Sequence, residues 1–402
     1  MNEELENKIK KLGMHFGANH IKAAAPKNKF DISFQDGIEE SNSLGKFFYT
    51  QKEFNPDYIH GKVSFSKILL EKIEFQFPGT HKSIDFKNCI FLDTETTGLA
   101  LSAGTFAFMV GIAKIIGTTL ILRQYFLKSP SEEAAMLLDL SNFINPDDTI
   151  VTYNGIGFDI PILKHRYVLH KIPIDYRKYA QLDLLKYSRA LWRFQFDDRS
   201  LKSVEKNILN YQRSSEEVPG WMAPEIYRQF LKTGNLAEIL GVFYHNAIDV
   251  VSLAALLYEY IELISNHIDT HTEFSSINYA LARLHEKQND LNQSTQYYNA
   301  ALQQDNLPGH IRVEVLRRLS KIHKVSGKID QAIVLWETAS LLKDINSIIE
   351  LSKFYEHKQK DYKSALFWVE MGIQIFEESN KYKSVDLENR KVRIIKKWSS
   401  NG

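Results

Sequence analysis

The sequence is poor in several things, and each shortage excludes something. A single cysteine, Cys89, stands among 402 residues. No disulfide can close within the chain, and a reducing compartment is the expectation. No apolar run reaches the ~18 residues that would span a bilayer. In the best stretch, FAFMVGIAKIIG, Lys114 interrupts the run. The charged N-terminus MNEELENKIKKLGMHFG lacks the apolar core of a signal peptide. A cytoplasmic protein with no membrane partner is expected. Net charge is scarce as well: the formal value is +1. That excludes a uniformly basic nucleic-acid binder and leaves local patches open.

What is present is ordinary globular composition, 44% hydrophobic and 25% charged, over a length that suits two or three domains. Residues 1–82 form an N-terminal extension without a readable role, in which VSFSKILLEKIEFQF (63–77) has room for short strands. A domain is expected over 83–268. NCIFLDTE (88–95) is a buried strand ending in acids. TFAFMVGIAKII and TTLILRQYFLK flank Gly117 as a β-hairpin. SPSEEAAMLLDLSNFI opens a helix on a Ser cap and an acidic first turn. DTIVTYN (148–154) is a second short strand, followed by a helix. Strands alternating with helices predict an α/β fold with a mixed sheet, whose site gathers at the strands' carboxyl ends. Over 269–402 three segments align, with Ser294, Ala332 and Ala365 as anchors spaced 38 and 33 apart. That spacing predicts tetratricopeptide-like helical repeats, an all-α solenoid.

Three short segments carry chemistry. In FLDTETTGLA (91–100), Asp93 and Glu95 are two apart on a strand and so share a face. Two acids that close repel unless a positive charge lies between them. The same spacing at Asp386 and Glu388, in a helix rich in Lys and Arg, places the acids apart and solvated; context distinguishes the two pairs. In YNGIGFDIPILKHR (153–166), Asn154-Gly155 makes a turn and Pro161 suits the first turn of a helix, which sets Asp159 at that helix's positive end. In YHNAIDVVSLAAL (244–256), His245 and Asp249 are i and i+4 on one helical face. Four carboxylates and an imidazole suit a site for Mg²⁺ or Mn²⁺, two ions in all, hydrolysing a phosphodiester.

These segments resemble the three motifs of the DEDD (DnaQ-like) 3′–5′ exonucleases. They are closest to the YprB-like branch, which FLDTETTGL, YNGIGFDIP, DLLKYSRALWRF, SLKSVEKNIL, EEVPGWMAPEIYRQFLKTGN and HNAIDVVSL follow in order across about 90–257. The resemblance implies a ribonuclease-H-like fold with a mixed five-stranded sheet. It also implies roles: Asp93 bridges both metals, Glu95 and Asp249 complete the first site, and Asp159 holds a metal mainly through water. His245 is general base, while Thr97, Gly98 and Leu99, with Asn154 and Phe158, cradle the terminal nucleotide. The register departs at one point, because Tyr244 occupies the position five before the last acid and His245 the position four before. Tyr244 stays the alternative base. Asn210 stands where that branch carries glycine.

Between Pro161 and Arg213, 12 Lys and Arg stand against 5 Asp and Glu, interleaved with Tyr167, Tyr176, Tyr179, Tyr187 and Trp192. Basic residues there suit phosphates and the aromatics suit bases of single-stranded DNA or RNA; a solvated helical face with core aromatics explains them equally. Asp183 is expected as a helix cap, and RKVRIIKKW (390–398) as a solvated terminal helix. The function expected is a metal-dependent 3′–5′ exonuclease whose repeats dock a protein partner. The alternative is a catalytically weak or inactive scaffold that binds nucleic acid or protein.

Overall fold

The computed structural model describes residues 37–77, 83–98, 104–214, 218–265, 276–380 and 384–401. Leu99, one of the expected substrate contacts, lies outside the described residues. The chain forms two compact units. The first takes the described residues up to Leu70 together with Cys89–Leu182 and Glu205–Ala255; the second takes Glu71–Asn88, Asp183–Val204 and Leu256 onward.

The first unit is built on a sheet. Its strands are β1 (Gly37–Asn42), β2 (Gly45–Phe54), β7 (Cys89–Thr96), β8 (Ala107–Ile116), β9 (Thr119–Phe126), β10 (Thr149–Thr152) and β11 (Ala180–Asp183), in the order β1-β2-β9-β8-β7-β10-β11. A short ribbon, β3 (Ile59–His60) with β4 (Val63–Ser64), belongs to this unit, and another, β5 (Glu74–Phe75) with β6 (Ile84–Asp85), to the second. The sheet is mixed, since β10 pairs β7 in parallel while β8 pairs it antiparallel. It has seven strands where five were expected. β1 and β2 come from the N-terminal segment, and β2 lies antiparallel on β9, pairing Thr50 with Gln124. That pairing joins residues far apart in sequence, so local pattern does not reveal it.

Helices α1 (Phe65–Leu70), α2 (Glu133–Phe143), α3 (Asp159–Leu169), α4 (Leu184–Leu191), α5 (Leu201–Val204), α6 (Ala223–Thr233) and α7 (Ile239–Ser265) follow. The Ser129 cap is present as a full capping box with Glu132, leading into α2. Apolar residues of β7, β8 and β9 meet α2 and α3 in one core that includes Ile90, Leu92, Phe108, Val110, Leu140 and Leu163. α7 is apolar nearly all round, with Ala247, Ile248, Val250, Val251 and Ala254 without exposure, as a central helix requires.

The second unit is mostly helical: it takes α4 and α5 and then α8 (Ile277–Lys287), α9 (Leu291–Leu302), α10 (Gly309–Val325), α11 (Ile329–Leu341), α12 (Ile345–Phe354), α13 (Tyr362–Asn380) and α14 (Val385–Asn401), of which α8 to α13 each pack on the next helix in sequence. Ser294, Ala332 and Ala365, the aligned small residues, are all fully buried. Asp183 caps α4 by accepting from the Leu185 N–H at 3.0 Å. Tyr167, Tyr176, Tyr187 and Trp192 are buried, so these aromatics fill core rather than offering faces to bases. The basic terminal helix is not simply solvated. Arg390, Arg393 and Lys397 converge on the buried Glu356. Among the described residues no helix is long and apolar enough to cross a membrane.

Candidate active site

The site lies within the first unit, where α7 crosses one face of the sheet. A single cross-strand row explains how it fits. Asp93 on β7 pairs with Gly111 on β8, and Gly111 pairs with Gln124 on β9. Directly paired residues share a face, so the row reads acid, glycine, amide. The missing side chain makes room for α7: a Cβ at Gly111 would stand 2.2 Å from Asn246 Oδ1 and 2.8 Å from Val250 Cγ2. Asn246, fully buried, settles into that space. Its Nδ2 donates to Asp93 Oδ2 at 2.9 Å, and its Oδ1 accepts from Gln124 Nε2 at 3.0 Å. Gln124 donates also to the Phe243 carbonyl at 2.8 Å. The Asp93 carboxylate is thereby aimed by a chain of neutral amides.

Glu95 stands two residues on, just before a register shift between Glu95 and Thr96, the kind of bulge that re-aims side chains beside active sites. Its Oε1 lies 3.7 Å from His245 Nε2, which in turn lies 3.5 Å from Asp249 Oδ2. The expected i, i+4 face of α7 is therefore present and turned toward the β7 acids. Asp159 opens α3 and is buried, as expected of a first-turn acid. Its Oδ1 accepts from Thr94 Oγ1, the residue between the two β7 acids. Its charge still reaches Asp93 and Glu95.

Burial first, and then the charges of Asp249, Asp159 and Glu95, hold the Asp93 carboxyl well above the ordinary range; the Asn246 hydrogen bond opposes them. Burial likewise pushes Glu95 up to about 8, with Asp249 and Asp159 adding to it and His245 and Arg213 opposing. Four acids thus stand close together, Glu95 and Asp159 buried and Asp93 and Asp249 partly so, with little positive charge among them.

The positive charge the structure does supply was missed by sequence reading. Arg213, 4% exposed at its side chain, donates through Nε and Nη2 to Glu205 at 2.5 and 2.6 Å. Nη2 also donates to Asp249 Oδ1, and Nη1 reaches His245 Nδ1 at 3.1 Å. A guanidinium only donates, so Nδ1 accepts and the neutral ring carries its proton on Nε2. The basic count over 161–213 included this residue as a phosphate contact; it is an internal ion pair instead. Arg166 is spent similarly on Glu133. Asn246 was missed too, although Gly111 inside an apolar strand is the kind of signal that marks close approach by another element.

The remaining expected residues fall nearby in sequence. The Thr97 N–H donates to the Phe106 carbonyl at 3.0 Å, and Gly98 accepts from Thr96 Oγ1 at 2.8 Å. Asn154 turns the chain with φ 68°, and Phe158 precedes α3. Tyr244 faces elsewhere: its hydroxyl accepts from the Ser214 N–H at 3.1 Å. Asn210 adopts φ 53°, the left-handed conformation that glycine takes most easily and asparagine tolerates.

All the ligands on offer are hard oxygens, which fits Mg²⁺ or Mn²⁺ rather than a soft metal. Among the described residues, however, no three carboxylate, imidazole or thiol groups are gathered tightly enough to hold an ion as they stand. Two of the four acids are engaged otherwise, Asp159 by Thr94 and Asp249 by Arg213.

Comparison with known proteins bears on the fold. Residues 90–261 match RNase_H_2, described as RNase_H superfamily. The chain is also 28% identical over 427 residues to the uncharacterised protein YprB of Bacillus subtilis (strain 168), an alignment covering 98% of this chain and all of that one. The matched span holds β8 to β11, nearly all of β7, and the four acids; it is similar to a ribonuclease-H-like domain, a fold that points to hydrolysis of nucleic acid.

Proposed function

We propose that this protein is a Mg²⁺- or Mn²⁺-dependent nuclease acting on single-stranded DNA or RNA, a 3′–5′ exonuclease of the DEDD type, at work in the cytoplasm. The observation that carries the reading is the surplus of negative charge gathered at Asp93, Glu95, Asp159 and Asp249, with Asp93 already aimed by Asn246. Asp93 would be the acid shared by the ions, Glu95 and Asp249 would help to hold them beside it, and Asp159 would contribute from the start of α3. When bound, the ions supply an activated water and stabilise charge on the phosphate oxygens. Thr97, Gly98 and Leu99, with Asn154 and Phe158, receive the terminal nucleotide.

His245 handles the proton. With Nε2 protonated, the ring's free lone pair is on Nδ1, which accepts from Arg213, so the ring takes up a proton only at Nδ1 and only once Arg213 withdraws from it. That same contact favours one rival, a weakly active or inactive scaffold whose acids are closed by their own arginine. The second unit's successive helices support a docking role for a protein partner through tetratricopeptide-like repeats.

The test is a panel of end-labelled single- and double-stranded DNA and RNA incubated with Mn²⁺. Stepwise release of nucleotides from 3′ ends is expected, abolished by EDTA and by Asp93→Ala. Activity that survives both removes the metal mechanism; no activity on any substrate favours the scaffold.

A further inference from the structure

We propose that Arg213 is the site's resident counter-ion, holding Asp249 when no divalent cation is bound and competing with that cation for it. The inference rests on the reading above, that the acids receive such a cation.

One guanidinium here serves two carboxylates unequally. It forks both oxygens of Glu205, which has no side-chain exposure, and spends one further donor on Asp249 Oδ1. The Glu205 fork is complete without Asp249, so Arg213 can give up Asp249 and remain in place. Glu205 is itself fixed. It begins the π-turn Glu205–Leu209 and bonds to Ser252, whose hydroxyl lies 2.8 Å from His60 Nε2. The turn's far end is braced by the N-terminal ribbon: the Lys62 N–H donates to the Leu209 carbonyl at 2.8 Å. Gly61, at φ 60°, passes so close that a Cβ would stand 2.0 Å from that oxygen. The Tyr211 ring stacks on His60 with centroids 4.1 Å apart. His60, Gly61 and Lys62, from the segment that has no role legible in sequence, thus hold the strap that carries Arg213.

The geometry separates two kinds of role by sign. A guanidinium that merely props up Asp249 would, once removed, leave the carboxylate less ordered and the cation more weakly held. A competitor, once removed, frees Asp249 Oδ1 and takes away a like charge, so the cation binds more tightly. Removing Arg213 alone also leaves Glu205 as an uncompensated buried acid, which attracts a cation by itself and threatens folding. Removing both members leaves the local net charge unchanged and tests competition alone.

The experiment is Mn²⁺ binding to the full-length protein by isothermal titration calorimetry, with thermal melting to show that each variant is folded. Arg213→Gln is expected to bind Mn²⁺ about tenfold more tightly than wild type, and Glu205→Gln/Arg213→Gln at least about threefold more tightly. Arg213→Lys, which keeps the charge, should return affinity toward wild type. Unchanged or weaker binding in the folded double variant overturns the proposal. So does tighter binding in Arg213→Gln with none in the double variant, which would assign the effect to Glu205's charge. A wild-type protein that binds no Mn²⁺ removes the metal-site reading itself, an outcome distinct from the other two.

Discussion

Glu95 in the first unit and Glu356 in the second are both nearly out of solvent, 8% and 2% exposed, and their surroundings drive them in opposite directions. Burial acts upward on each. At Glu356 it is outweighed by hydrogen bonds from Arg393 and Lys397, and the carboxyl falls to about 2. Four cationic or imidazole groups, Arg390, Arg393, Lys397 and His357, surround that one acid. At Glu95 burial is reinforced by Asp249 and Asp159, and the carboxyl rises to about 8. One acid is over-supplied with partners and ties α14 to the turn after α12, which is a structural job. The others are under-supplied and cost stability, which a fold tolerates where an external cation supplies the difference.

The largest effect should come from cutting into the under-supplied group. Asp93→Asn is expected to lower the nucleolytic rate by ~10³-fold or more while raising the melting temperature of the metal-free protein by about 2–4 °C. Activity on end-labelled substrate and calorimetry check the two halves, and a variant that melts lower than wild type breaks the comparison. Next is Gly111→Ala, whose Cβ must push Asn246 and Val250 away; a loss of about 2–3 kcal/mol in denaturant unfolding is expected, with activity falling alongside. Glu356→Gln should move stability the other way from Asp93→Asn, costing about 2 kcal/mol, because it leaves cations without their acid; its partly exposed partners keep the loss below that of a fully buried pair.

The pH dependence differs in sign between the two regions. Glu356 is held below its ordinary 4.5, so its contribution is full above that value and is lost as pH falls toward 2. The stability gap between wild type and Glu356→Gln should therefore close in melts between pH 4.5 and 2. Glu95 is held above its ordinary value, so the folded, metal-free first unit retains protons there and should gain stability as pH falls from about 8 toward 4.5. A gap that widens in acid would show that Glu356 is not held by its cations.

Much of the site was legible because its signals are local. An apolar strand ending in acids, a helix-start aspartate and an i, i+4 pair each lie within one element, and β7, α3 and α7 place them as their periods require. What escaped joins distant segments. β1 and β2 complete the sheet through pairing with β9, and their mixed charged and aromatic residues carry no clean alternation. Arg213 reads in sequence as one more cation in a basic stretch, and only the strap's closure against the β3–β4 ribbon shows that it is committed to Glu205. The aromatics of 167–192 suited base stacking as well as core, and burial decides for core. Asn246 was in plain view beside His245, but its partners Gln124 and Asp93 sit on strands more than a hundred residues away.

The central claim is that the first unit's acids are kept short of positive charge to receive a divalent cation. The most direct measurement is the shift in melting temperature on adding Mn²⁺ to wild type and to Asp93→Asn, both as full-length protein. A cation that binds only the folded site stabilises it by mass action, so wild type should melt several degrees higher with Mn²⁺ and Asp93→Asn should shift little. Equal shifts in both proteins, or none in wild type, would contradict it.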